Sequence, residues 1–129
     1  MIITRTAGGF TLIELLLVMV LIALMAGIAA PRFSAWMEGV QTRGTLTELT
    51  TWLEAQPTEA FLAGNGHTLE ARDAPPLPAH WRLEMDPAPS YEANGMAAGG
   101  RVLVWDGNRL LADWEILPPT GIVNKNPAP

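Results

Sequence analysis

Hydrophobic positions follow three regimes along the chain. From residue 10 to residue 30 the sequence is almost unbroken apolar, with Glu14 its only charge. As a helix this stretch is roughly 30 Å long, the hydrocarbon thickness of a bilayer, and it would satisfy its backbone groups internally as lipid demands. Beyond it the pattern becomes helical in period. Phe33, Trp36, Met37 and Val40 fall at i, i+3, i+4 and i+7, and Leu46, Leu49, Trp52 and Leu53 continue the stripe after a small phase slip. That spacing predicts an amphipathic helix with one buried face, its tryptophans serving as core packing. Pro31, preceded by Gly27, and Pro57 each remove a helical hydrogen bond, which predicts kinks near both. At Pro57 a short second helix over residues 58–63 is the alternative, because proline suits a first turn. Gly64-Asn65-Gly66 ends the helical region.

The third regime alternates with period two. Residues 67–72 are short and mixed, and Ala74-Pro75-Pro76-Leu77-Pro78 is a break. Trp81, Leu83 and Met85 alternate with Arg82 and Glu84, predicting a half-buried strand. Residues 86–100 carry prolines and glycines and read as a long loop with a brief strand near Tyr91. Residues 101–105 are the strongest β segment, and the turn Asp106-Gly107-Asn108 leads into residues 109–117 as a hairpin. Pro118-Pro119-Thr120-Gly121 turns the chain, Ile122-Val123 adds an edge strand, and residues 124–129 form a frayed tail. Helix first and antiparallel strands after predict an α+β fold, the sheet packed on the helix stripe.

Bulk properties narrow the chemistry. With 129 residues, the chain has room for one small domain besides the apolar span. It contains no cysteine, which excludes a disulfide framework, a thiolate metal site and a thiol nucleophile. Its formal net charge is −5, and Arg32, Arg43, Arg72, Arg82, Arg101, Arg109 and Lys125 are scattered singly. A nucleic-acid surface needs a basic patch, so no nucleic-acid partner is expected. His67 and His80 are the only histidines and do not stand at metal-ligand spacing; both are expected at the surface or in packing. Asp113 and Glu115, the last acidic residues, fall inside a strand with no run of oxygen ligands after them, so no calcium or other metal is expected. No catalytic constellation or cofactor motif is present, and the chain is not expected to be an enzyme.

Glu14 is the feature that ordinary explanations leave over. A carboxylate inside lipid is costly and marks a functional position. A secretory signal would end its apolar core at an A-x-A-like site; here the small pair Gly8-Gly9 precedes the core, and Gly27, Ala29 and Ala30 only mimic one. A plain amino-terminal anchor agrees with Arg5 as an inside charge but gives Glu14 no purpose.

The run Gly9-Phe10-Thr11-Leu12-Ile13-Glu14 after a short basic leader resembles the class III signal of type IV pilins and type II secretion pseudopilins. The resemblance implies a leader of residues 1–9, cleaved between Gly9 and Phe10 by a prepilin peptidase that then methylates the Phe10 amine. It implies a transmembrane and assembly helix over residues 10–30, a stalk helix over 31–63 kinked near Pro31 and Pro57, and a periplasmic antiparallel β domain over 64–129. Pilin-like stalks share a proline at the place of Pro31. Glu14 of one subunit would pair with the Phe10 amine of a neighbour during assembly.

Within that group, Leu53-Glu54-Ala55-Gln56-Pro57-Thr58-Glu59-Ala60-Phe61 followed by His67-Thr68-Leu69 is similar to H-type minor pseudopilins and their FimT-like relatives. So are Leu77-Pro78-Ala79-His80-Trp81, Gly99-Gly100-Arg101-Val102 and Thr120-Gly121-Ile122-Val123. Pro57 departs from a helix-compatible residue, and Ile122 stands where that branch usually has arginine. The resemblance implies a minor pseudopilin at the tip of a type II secretion pseudopilus, needed to export folded proteins. The expected location is the inner membrane, single-pass, with the carboxy-terminal domain in the periplasm. Expected partners are sibling pseudopilins, the prepilin peptidase, the inner-membrane assembly platform and secreted exoproteins. The alternatives are a FimT-like minor pilin of a type IV pilus, acting in priming or DNA uptake, and an anchored binding domain that does not polymerise.

Overall fold

A computed structural model describes residues 8–127. Of the expected leader, residues 1–7 lie outside the described residues, as do residues 128 and 129 of the expected tail. The chain forms two compact units, Met1–Gln41 and Thr42–Pro129. Helix α1, Leu12–Ala63, contributes to both.

In the first unit α1 is exposed on every side, and through residue 30 it is apolar but for Glu14 in its first turn. Its hydrogen-bonded run continues through Pro31. Phe33, Trp36, Met37 and Val40 are exposed, which corrects the expectation that this part of the stripe packs a core. Among the described residues of that unit α1 is the sole element, so none of them forms a second layer to cover these side chains.

In the second unit α1 presents Leu49, Leu53 and Ala60 as a buried face, with Leu46 and Trp52 at its margin. The helix runs through Pro57 without a break, so the short second helix over 58–63 is a continuation of α1. It stops where Gly64 takes φ 66°, with the Gly64 N–H donating to the Ala60 carbonyl at 3.0 Å, a glycine C-cap.

Among the described residues six antiparallel strands follow: β1 His67–Thr68, β2 Trp81–Met85, β3 Ser90–Tyr91, β4 Ala97–Asp106, β5 Arg109–Leu117 and β6 Ile122–Asn126. Their order is β1-β3-β4-β5-β6, and β2 pairs with the same long β4. Strand β2 takes the second half of β4, from Met85↔Val102 to Trp81↔Asp106, and β3 takes the first, with Ser90↔Gly99. Inward residues Leu83, Val102, Val104, Ala112, Trp114, Ile116 and Val123 close one hydrophobic cluster with the helix face. This is the α+β arrangement expected from the pattern, and the pilin-like one that the resemblance implies.

Three boundaries differ from expectation, each for a tertiary reason. Strand β4 begins at Ala97 rather than Arg101. Gly99 and Gly100 read as loop because glycine lowers β propensity. Yet a Cβ on Gly100 would lie 2.5 Å from the Pro89 Cα, so glycine is what lets the 86–89 segment lie on the strand. The Arg101 N–H donates to the Pro87 carbonyl there at 2.9 Å. Second, the mixed stretch 67–72 shrinks to two strand residues and a 3-10 turn, Ala71–Asp73. Third, the tail expected to fray from residue 124 is ordered through Asn126 in β6, where Asp113↔Asn126 are cross-strand partners.

Asp113 joins three strands. Its carboxylate accepts from Arg101 Nε at 2.9 Å and Arg101 Nη2 at 2.7 Å. Those bonds, with a further one from the Asn126 side chain, hold the Asp113 carboxyl below its ordinary range. A depressed carboxylate contributes stability above its unfolded-state pKa of about 3.9 and loses it as pH falls through the folded value. Acid titration of the Asp113→Asn variant, followed by tryptophan fluorescence, is therefore expected to show a flatter acid limb than the parent chain.

Tyr91 sits at the junction of helix, β1 and β3. The ring of His67 lies 5.6 Å from its ring, and His67 Nε2 is 2.9 Å from Gln56 Oε1 on the helix. His67 is thus a packing histidine, one of the two roles expected for it. The Tyr91 hydroxyl is buried with no hydrogen-bond partner among the described residues, and burial pushes its pKa up to about 12. Tyr91 is the only tyrosine in the chain. Absorbance titration at the phenolate band thus reads this residue alone. Its midpoint is expected near 12 in the folded chain, against about 10 in denaturant. Since the phenolate is favoured only in the unfolded chain across that interval, stability should fall as pH rises through it. A folded-state midpoint at 10 would show the hydroxyl to be solvated.

Candidate functional site

The residues singled out at the start of the chain gather at one place, the entry to α1. Gly8, Gly9, Phe10 and Thr11 precede the helix and are exposed, Phe10 to 84%. Thr11 is the N-cap. Its Oγ1 accepts the backbone N–H of Glu14 at 3.3 Å, and its carbonyl accepts the N–H of Leu15 at 3.1 Å. Thr11 and Glu14 thus stand at the two positions of a capping box, T-x-x-E, immediately before the apolar run. Hydropathy and period do not reveal that local position of Glu14; the Thr11-x-x-Glu14 spacing is the signal that does. A carboxylate in the first turn also sits well against the positive end of the helix dipole.

The geometry separates what the chain's own fold requires from what it does not. A Cβ added to Gly8 or Gly9 would meet nothing within 4 Å, and neither glycine has positive φ. Among the described residues no contact demands glycine there. The Gly9–Phe10 bond lies in non-helical, accessible backbone ahead of the cap, a conformation that an enclosing enzyme cleft can take up. Glu14 is exposed, and its carboxylate has no partner among the described residues. Pro31 lies within α1, where its carbonyl accepts from Ser34 Oγ at 3.0 Å. Gly9, Phe10 and Glu14 are therefore brought together, whereas Pro31 stands apart along the helix.

The apolar stretch meets the length and hydropathy expected of a membrane span, with none of it buried. Elsewhere, polar side chains pair locally. Arg72 lies 3.1 Å from Glu70, Arg82 2.9 Å from Glu84, and Arg109 3.7 Å from Asp106. His80 Nε2 is 3.4 Å from Asp106 at the β4–β5 turn and exposed. Among the described residues no group of three or more His, Asp or Glu side chains converges as a metal site would need.

Comparison with known proteins adds one finding. No curated protein and no solved structure matches the chain. Residues 4–30 match the family described as "Prokaryotic N-terminal methylation motif", which covers Gly9, Phe10, Glu14 and the apolar run together. That match, with the fold, supports a type IV pilin or pseudopilin: a membrane-anchored structural subunit, processed by a prepilin peptidase and assembled with other pilins.

Proposed function

We propose that the protein is a minor pseudopilin of the H type, a subunit of the type II secretion pseudopilus that serves export of folded proteins across the outer membrane. The observation that carries the subunit class is the accessible Gly9–Phe10 bond directly ahead of a capped helix whose first part, through residue 30, is apolar and uncovered. Residues 1–9 are the leader, residues 10–30 span the inner membrane, and the domain of strands faces the periplasm. Cleavage exposes an amine on Phe10, and the Glu14 carboxylate of a neighbouring subunit pairs with it as the helices pack.

The branch within the class rests on the order of short landmarks. Gly99-Gly100-Arg101-Val102 and Thr120-Gly121-Ile122-Val123 both have backbone reasons for their glycines: Gly100 lies beneath Pro89, and Gly121 lies against Pro57. The secretion role is favoured over DNA uptake by the state of the arginines. Arg72, Arg82, Arg101 and Arg109 each have a carboxylate within 4 Å, so phosphate contacts would have to displace an existing partner. Ile122, exposed at the start of β6, adds no charge.

The test is an in-frame deletion of the gene, with exoprotein activity in the medium assayed beside pilus-dependent motility and DNA uptake. Lost secretion with normal motility is expected. Normal secretion with lost pilus function would move the protein to the FimT-like minor pilins.

A further inference from the structure

The span does not end where its neighbours become polar. Arg32, Phe33 and Trp36 follow it directly, and Phe33 and Trp36 are exposed to 59% and 62% with their ring centroids 5.8 Å apart. Met25, Ile28, Ala29, Arg32 and Phe33 line one shallow, mainly apolar groove. Among the described residues of the first unit none is buried as a core that could cover these groups.

Position along the helix says what does. If residue 30 marks the edge of the hydrocarbon, Phe33 lies about 4.5 Å and Trp36 about 9 Å farther along the axis. The headgroup layer adds about 5–8 Å per side. Helical side chains lean toward the amino terminus, which here carries both rings back toward the bilayer. Tryptophan beside phenylalanine and a snorkelling arginine is the composition that the membrane–water interface favours. Val40, about 15 Å past residue 30, lies beyond this layer.

We propose that Arg32, Phe33 and Trp36 form an interfacial collar, rings among the lipid headgroups and guanidinium on a lipid phosphate, that sets the depth of the span before assembly. The collar rests on the membrane-anchored reading and adds to it the lipid contact and its residues.

Absence of native cysteine makes depth measurable with single nitroxide labels. The full chain carrying Leu21→Cys or Ala35→Cys is reconstituted in vesicles of phosphatidylethanolamine and phosphatidylglycerol, and label depth is read from oxygen and nickel-chelate accessibility. A label at residue 21 is expected near the bilayer centre and one at residue 35 at headgroup depth. Adding Phe33→Ala and Trp36→Ala should move the residue 35 label by about 3 Å, two residues of helix. A label at residue 35 in bulk water, or one unmoved by the paired substitution, would overturn the collar while residue 21 still reports the span. Line broadening at residue 35 that grows with the protein-to-lipid ratio would assign the face to a second copy and overturn it likewise. A label at residue 21 in water would remove the anchor itself, and the collar with it.

Discussion

A chain carrying Glu14→Ala is expected to be cleaved and inserted normally and yet to be missing from the filament, while Thr11→Ala enters it nearly as well as the parent. The two variants separate the helix-start position of Glu14 from the pairing role proposed for it. As part of the helix start, its neighbourhood is worth little: an N-cap contributes about 1 kcal/mol and a first-turn charge about 0.3–1 kcal/mol. As half of a desolvated pair with a neighbour's Phe10 amine, its loss leaves an uncompensated charge at a cost of about 3–5 kcal/mol. Each 1.4 kcal/mol is tenfold, so incorporation should drop by roughly two to four orders of magnitude. Intact mass reports cleavage, and immunoblots of sheared filaments against membranes report assembly. Equal defects in both variants would reduce Glu14 to a helix-start residue, and normal assembly of Glu14→Ala would end the pairing role.

The largest stability effect is expected from Gly121→Ala. Gly121 has φ 75°, and a Cβ there would lie 2.6 Å from the Pro57 Cγ on the helix and 3.5 Å from the Tyr91 ring. Left-handed backbone costs an L-residue roughly 1–2 kcal/mol, and forcing a methyl into a packed site costs about 1–3 kcal/mol more. The sum, about 2–5 kcal/mol, is a large part of a small domain's stability. Because the clash is with one ring atom, Pro57→Ala in the same chain should restore the packing part and leave the backbone part. Urea denaturation of the four chains in detergent, followed by tryptophan fluorescence, gives the coupling directly. Strictly additive effects would show that the two residues do not meet.

This contact also explains a departure seen in the sequence. Pro57 looks misplaced in a helix interior, where proline costs about 3 kcal/mol against alanine. In the structure its ring lies against Gly121, and a Cβ at Gly95, which has φ 82°, would lie 2.9 Å from its carbonyl. Two glycines distant in the sequence have opened the space that the proline fills. Periodicity sees only a helix breaker, because the compensation comes from turns more than thirty residues downstream.

Trp36 and Trp52 make the same point about burial. Both fall on the apolar stripe, yet Trp36 is exposed and Trp52 is packed at the margin of the core. Their local patterns are alike; what differs is whether a sheet lies in the same unit. Asn126 is a third case. A polar residue near a proline-rich end reads as tail, but the Asp113 carboxylate one strand away gives its side chain a partner.

What the sequence determined by itself is everything that depends on near neighbours along the chain. The uncovered apolar run over residues 10–30, the Thr11–Glu14 helix start, the glycine stop at Gly64 and the strands around residues 81–85 and 101–105 all follow from hydropathy, period and local capping. Tertiary structure alone decided which half of the stripe is covered, why β4 starts at Ala97, and why Tyr91 holds a buried hydroxyl. Those outcomes turn on pairs such as Pro89 with Gly100 and Pro57 with Gly121, whose members meet only once the chain has closed on itself.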